Sequence, residues 1–206
     1  MSNLGTNSRE SPLIFQFGTS RFLQAHVDYF IGCSIAAQKS SAKIVVVQTS
    51  GSSAGKARVR AMNEMTSYPV RIRGLSKGQI IDQEEHIASI AGALQADHDW
   101  PQVIELFCNQ VGHVVSNTGD QGYSLDEKDD SLAQPPNSFP AKLLILLLAR
   151  YSRNGRGVTI MPCELVANNG DVLKEIVVSL AQKWALDKEF IGWVKTDCLW
   201  VNSLGG

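Results

Sequence analysis

The chain has 206 residues, 44% of them apolar and 19% charged, with a net charge of −1. A chain of that size and make-up buries roughly 70% of its unfolded surface, and the balanced charge excludes a general attraction to nucleic acid or acidic membranes. The longest apolar run, 143–149, is too short to span a bilayer. The four scattered cysteines, Cys33, Cys108, Cys163 and Cys198, with no C-x-x-C pair, read as reduced thiols of a cytoplasmic protein without a metal site.

Residues 1–11 are polar and read as a disordered lead-in. Leu13 to Phe17 is an apolar run that stops at Gly18, and helix-spaced Phe22, Leu23, Ala25, Val27, Phe30 and Ile31 follow at once. Strand, glycine turn and helix in that order open a dinucleotide-binding unit. The glycine lets the backbone turn sharply, and the first free amides of the helix point at whatever lies above the strand, for which a pyrophosphate is the natural occupant. The spacing G-x-G-x-x-G is kept in part, with Gly18, Ser20 and Leu23 at its glycine positions. Ser20 offers a hydroxyl donor in place of bare backbone. An ordinary strand-to-helix turn capped by Thr19 or Ser20 fits the same residues.

Ala42 to Val47 is a second apolar strand, of the kind a parallel sheet covered on both faces requires. It runs into Gln48 where NAD-binding units carry Asp or Glu for the adenine ribose. An amide can bond a ribose hydroxyl without repelling a 2′-phosphate, and Lys56, Arg58 and Arg60 lie downstream. NAD and NADP are both compatible with that pattern, and the bases also fit a solvated helix face.

Tyr68 to Arg73 alternates as a half-buried strand, Gln79 to Ile90 is a second extended segment, and a helix starts near Asp99-Trp100-Pro101. His113 to Ser116 is a short strand entering a polar turn, where Asn117 and Thr118 can bond a ribose or nicotinamide or merely satisfy their own backbone. Leu125 to Asn137 reads as an exposed loop. The helix from Phe139 to about Tyr151 carries Lys142 near its start, either reaching an anion or snorkelling to solvent. Gly157 to Met161 is the next strand; Pro162 ends it and aims Cys163 and Glu164 at the cleft, Cys163 as a small buried group without a base beside it. Asn168 to Asp171 supplies the turn and cap for a helix from Val172 to Trp184, and a short helix, Asp187 to Val194, leads to a last strand. That strand has just reached Asn202 when the chain stops, which reads as a cut.

Taken together, Q-F-G-T-S-R-F-L-Q-A at 16–25, V-V-S-N-T-G at 114–119, F-P-A-K-L at 139–143, I-M-P-C-E-L-V-A-N-N-G-D at 160–171, W-A-L-D-K-E-F-I at 184–191 and the terminal N-S-L resemble the N-terminal domain of the mannitol dehydrogenase family of polyol and sugar-acid dehydrogenases. The resemblance runs from about residue 12 to 204. It implies an α/β, Rossmann-like domain, a mostly parallel sheet with helices on both faces and a β insertion. It also implies metal-independent hydride transfer between NAD and an open-chain polyol or sugar acid. Under it, Gly18, Ser20 and Phe22 sit at the pyrophosphate turn, Ser116, Asn117 and Thr118 lie beside the cofactor, and Asn202 helps orient the reacting oxygen; Thr19, Arg21 as a substitute for the charge missing at Gln24, and Gln48 complete the expected cofactor-binding set.

The sequence departs from the family at Ser20, where the family has glycine, at Gln24, where it has arginine, and at Gly119-Asp120, where Thr-Glu is usual. The family's general base, a lysine in a K-x-x-x-x-N-x-x-H pattern of a C-terminal helical domain, has no counterpart among these residues. The expectation is dinucleotide binding without turnover by the chain alone, since such a base contributes about 10²–10⁴-fold. A reading of another class is a non-catalytic module that acts with a partner chain, or self-associates, through the face left exposed.

Overall fold

The computed structural model describes residues 13–119, 122–130 and 135–203; the lead-in at 1–11 lies outside them. Six strands, β1 (Leu13–Phe17), β2 (Ile44–Gln48), β5 (Ile90–Gln95), β6 (Val111–Ser116), β7 (Thr159–Pro162) and β8 (Leu199–Trp200), form one sheet in the order β5-β2-β1-β6-β7-β8. Every neighbouring pair is parallel. The expected doubly wound α/β sheet is thereby present, and β1 and β6 are the neighbours at which the strand order reverses.

Alternation along the central strands divides the interior in two. Phe15, Phe17, Val45 and Val47 pack on one face with Trp100, Val103 and Phe107 of α4 (Trp100–Asn109), with α5 (Phe139–Ser152), and with Leu173, Val177 and Phe190 of α6 (Asn169–Lys183) and α7 (Lys188–Thr196). Ile14, Ile44 and Val46 face the other way, against Leu23 of α1 (Arg21–Ala25) and Val59 and Met62 of α3 (Ser53–Glu64). A strand buried on both faces must be apolar throughout, which is why β2 reads I-V-V-V.

Gln16 breaks that rule on β1. Its amide donates to Asp28 Oδ2 at 3.4 Å from α2 (Val27–Ala36), and both side chains are fully buried. Burial raises the Asp28 carboxyl to about 7, against the hydrogen bonds that lower it.

The single helix expected after Gly18 is two. His26, at φ −121° and ψ −87°, interrupts the ladder between α1 and α2. Phe22 and Phe30, counted on its apolar face, are 39% and 58% exposed and sandwich the His26 ring at 5.1 Å each.

The insertion is a hairpin, β3 (Tyr68–Ser76) and β4 (Gln79–Ile87), antiparallel and separate from the main sheet. Its two-residue turn, Lys77-Gly78, has both φ angles positive, 51° and 79°, the geometry that matches strand twist. The extended segment read as Gln79 to Ile90 is β4 over Gln79–Ile87, and β5 starts at its last residue. β5, with Ala91-Gly92-Ala93 at its centre, carries too little β-branched character to announce itself.

Two further expectations, solvent exposure of Lys142 and of the 125–137 loop at Asp129, are corrected. Lys142 does not snorkel to solvent: it is 3% exposed, its Nζ donates to the Asn137 carbonyl at 2.6 Å, and burial lowers its pKa while the Asp129 carboxylate draws it back up. Asp129, read as part of an exposed loop, is buried and accepts from the amides of Asn137 and Ser138, so it supplies the anion that the start of α5 favours. Arg150 near the end of α5 is likewise buried, its Nη1 donating to the carbonyls of Phe107 and Val111 and its guanidinium lying over the Phe107 ring.

Candidate nucleotide cleft

In an open α/β sheet, ligands bind outside the carboxyl ends of the strands where the strand order reverses. Here that point is the meeting of two turns, one leaving β1 and one leaving β6. Gly18 has φ +105°, and a Cβ on it would lie 2.3 Å from the Asn117 carbonyl oxygen. Glycine is required both by backbone conformation and by this contact. The amide of Gly18 donates to Val47 O at 3.1 Å and that of Asn117 to Phe17 O at 3.0 Å, so both turns are tied to neighbouring strands.

A cleft of about 290 Å³ runs over this junction, lined by Gly18, Thr19, Ser20, Gln48, Asn117 and Thr118, together with Thr49, Ser50, Ser52, Ala54, Gly55, Arg58 and Gly119. Six of the residues singled out from sequence thus share one wall. Ser116 lies beneath it, 1% exposed, while Arg21, Phe22 and Asn202 are outside its lining.

Each end of the cleft is held by one buried polar side chain. At the β2 end it is Gln48: Thr19 Oγ1 donates to its Oε1 at 3.1 Å, and its Nε2 donates to Ser50 O at 3.1 Å and Ser50 Oγ at 2.8 Å. Arg58 from α3 reaches back to Thr19 Oγ1 at 3.4 Å. At the β6 end it is Glu164, 4% exposed, just past β7. Its Oε1 accepts from the amide and hydroxyl of Thr118, both at 3.1 Å, and its Oε2 from Ser116 Oγ at 2.9 Å and Tyr123 OH at 3.4 Å. Burial and the Glu164 charge push the Tyr123 phenol upward, so it stays a donor. Asn117 adds a bond from Nδ2 to the Cys163 carbonyl at 2.8 Å. Cys163 itself is 7% exposed with a thiol raised by burial, an inert packing group.

Ser20 does cap the turn: its hydroxyl accepts from Leu23 N at 3.2 Å. Because α1 is only five residues long, the dipole it brings is that of little more than one turn. Arg21 and Phe22 point to the surface.

Asn168 to Asp171 form the turn into α6 as expected, but the capping bond comes from elsewhere. Asn168 is left-handed, φ 52°, with no side-chain cap bond. Asn202 Oδ1 accepts from Asp171 N at 3.0 Å, and Asn202 Nδ2 donates to Asp171 Oδ2 at 2.8 Å. Asn169 is buried and ties Pro162 O, Glu164 O and Ser203 together.

Sequence alone places Glu164 at the cleft without a role and gives no sign of Tyr123, of the buried bonds of Asn169 or of the reach of Arg58 to Thr19. Glu164 meets partners 41 to 48 residues away in the chain, so no local spacing could reveal it. All four cysteines are free. Among the described residues no helix is long and apolar enough to cross a membrane, and no cluster of three His, Cys, Asp or Glu could hold a metal.

The sheet order and the cleft at its switch point define a doubly wound, Rossmann-type domain. The profile of the mannitol dehydrogenase Rossmann domain matches residues 12–204, and the chain belongs to that family. Altronate oxidoreductase of Halalkalibacterium halodurans is 32% identical over 89% of this chain and 36% of its own length. The Bacillus subtilis protein of that name is 30% identical over 93% and 40%, and an Escherichia coli one 34% identical over 88% and 38%. The chain thus spans well under half the length of these curated relatives. In fold it is similar to a substrate-free D-sorbitol dehydrogenase, with a TM-score of 0.76 at 20% identity, covering 92% of this chain and 41% of that one. It is also similar to Pseudomonas fluorescens mannitol 2-dehydrogenase, solved as a ternary complex with NAD and D-mannitol, with a TM-score of 0.75 at 17% identity over 94% and 43%.

Proposed function

We propose that the chain is the NAD(H)-binding part of an oxidoreductase that moves a hydride, without a metal, to or from an open-chain sugar acid of the altronate–tagaturonate type. The observation that carries this reading is the Gly18–Asn117 junction, a glycine-requiring crossing of two turns at the switch point of a parallel sheet. The residues fit a dinucleotide there. A Cβ on Gly119, φ +91°, would meet nothing within 4 Å, so a guest can approach its backbone closely. The first amides of α1 have no acceptor within the helix; Ser20 takes that of Leu23 through its hydroxyl and that of Gln24 through its carbonyl, which leaves those of Arg21 and Phe22 for a guest.

Nicotinamide, when bound, supplies the hydride acceptor or donor. The chain's own residues bind and orient: Gly18, Thr19 and Ser20 would hold the diphosphate, and Asn117 and Thr118, fixed by Cys163 and Glu164, the nicotinamide half. For Asn202 to orient the reacting oxygen, as the family resemblance implies, its amide must let go of Asp171. Glu164, the carboxylate described at the cleft, already accepts from Ser116, Thr118 and Tyr123, so turnover calls for a base beyond the described cleft residues.

A cytoplasmic, reducing setting suits four free thiols. Leu165 and Val166, 77% and 38% exposed beside Glu164, form an apolar rim. That rim supports closure of the cleft by a further domain or by a partner chain. Calorimetric titration with NADH tests the reading. We expect saturable binding in the micromolar to millimolar range that is lost in Gly18→Ala, while the variant keeps its circular dichroism; binding unaffected by that substitution would remove the junction from the account.

A further inference from the structure

We propose that the β2 end of this cleft is built to accept a 2′-phosphate, so that the chain takes NADP(H) as well as NAD(H). The inference rests on the dinucleotide reading above and specifies the cofactor's adenosine half. With the diphosphate across the Gly18 turn, the adenosine ribose falls over the end of β2. Discrimination at that place is electrostatic: a carboxylate takes the two ribose hydroxyls and repels a phosphate, whereas a neighbouring arginine attracts one.

Among the described residues that line this cleft there is no carboxylate, and Arg58 is the one charged side chain. Gln48 cannot substitute for the missing acid. Its oxygen is taken by Thr19 and its nitrogen by Ser50, and it is wedged beneath α3, where a Cβ on Gly55 would lie 2.2 Å from Nε2. It is a floor rather than a ligand.

The direction of the hydrogen bonds above that floor is informative. The Ser50 carbonyl can only accept, which fixes Gln48 Nε2 as the donor. Nε2 also donates to Ser50 Oγ, which leaves the Ser50 proton for Ser52 Oγ at 3.3 Å. Ser52 Oγ accepts in addition from Gly55 N at 3.2 Å. Its own proton is therefore unspent, and the relay ends on an outward donor at the start of the 12-residue helix α3. A relay serving ribose hydroxyl protons would end on an acceptor.

Arg58 is exposed, touches Thr19 through one nitrogen, and pairs with no carboxylate among the described residues. Asp97, whose Oδ2 lies 3.2 Å from where a Cβ on Gly51 would stand, has its own cation in Lys56 at 3.7 Å. A guanidinium fork beside hydroxyl donors suits a phosphate, whose peripheral oxygens only accept.

The test titrates the chain with 5′-AMP and adenosine 2′,5′-bisphosphate, which differ only in the 2′-phosphate, and with NADH and NADPH. The bisphosphate is expected to bind about tenfold tighter than 5′-AMP, one charge-assisted contact's worth, and that advantage is expected to shrink to about twofold or less in Arg58→Ala, a substitution at an exposed site. Equal or weaker binding of the bisphosphate, or an advantage untouched in Arg58→Ala, overturns the inference even where NADH binds. Failure of all four ligands at several millimolar overturns the dinucleotide reading itself.

Discussion

The two ends of the cleft solve the same problem with different chemistry. Each must fix a polar turn at the end of a strand, and each does so with a single buried side chain from the neighbouring strand's end. At the β2 end that side chain is Gln48, a neutral amide that both accepts and donates, leaving the surface above it a row of hydroxyls and an arginine. At the β6 end it is Glu164, an acceptor only, into which Ser116, Thr118 and Tyr123 all point. The difference teaches where the guest's charge can go. The Glu164 end turns its donors inward and offers a guest little beyond shape and backbone, whereas the Gln48 end turns donors outward.

If that contrast is right, truncating the two residues has unequal costs. Glu164→Ala leaves the Ser116 hydroxyl and the amide and hydroxyl of Thr118 without this acceptor, while Tyr123 keeps the Asn169 carbonyl at 3.0 Å, and is expected to cost roughly 4 kcal/mol, read from the denaturant midpoint. A third buried polar pair sharpens the point. Asp28 is engaged by Gln16 at 3.4 Å and by Tyr68, yet burial outweighs both and its carboxyl sits at about 7 rather than 3.8. Since the folded value is raised, the stability tied to Asp28 is fully present below about pH 4 and is lost as pH climbs to 7. The loss is roughly 4 kcal/mol. Asp28→Asn should flatten stability over that window; an unchanged slope would mean that Asp28 does not carry it.

Gln48→Leu keeps the shape and removes the bonds to Thr19 and Ser50, at an expected cost of about 2 kcal/mol. A cost equal to that of Glu164→Ala would erase the comparison. The smallest effect belongs to Asn202. Losing its cap on α6 in Asn202→Ala should lower stability by about 1 kcal/mol, measured by thermal unfolding.

What could be read ahead of the structure follows from how local each signal is. β1, β2 and the turn at Gly18 were legible because an all-apolar run ending in glycine has few other solutions. β5 was not, because Ala91-Gly92-Ala93 looks like loop. The break at His26 was hidden by an apolar spacing that continues across it. Among site residues, Gly18, Gln48 and Asn117 stood out by position at strand ends. The role of Glu164 and the Asn202–Asp171 cap were invisible, because each joins residues far apart in sequence that only the sheet brings together.

The central claim is that the crossing of the β1 and β6 turns is where a dinucleotide sits. Mapping backbone amide shifts during an NADH titration addresses it residue by residue. The account predicts saturable shifts at Gly18, Thr19, Asn117 and Gly119, with Leu75 and Ile80 at the tip of the hairpin unmoved. Shifts confined to the hairpin, or none at any of these amides, would contradict it.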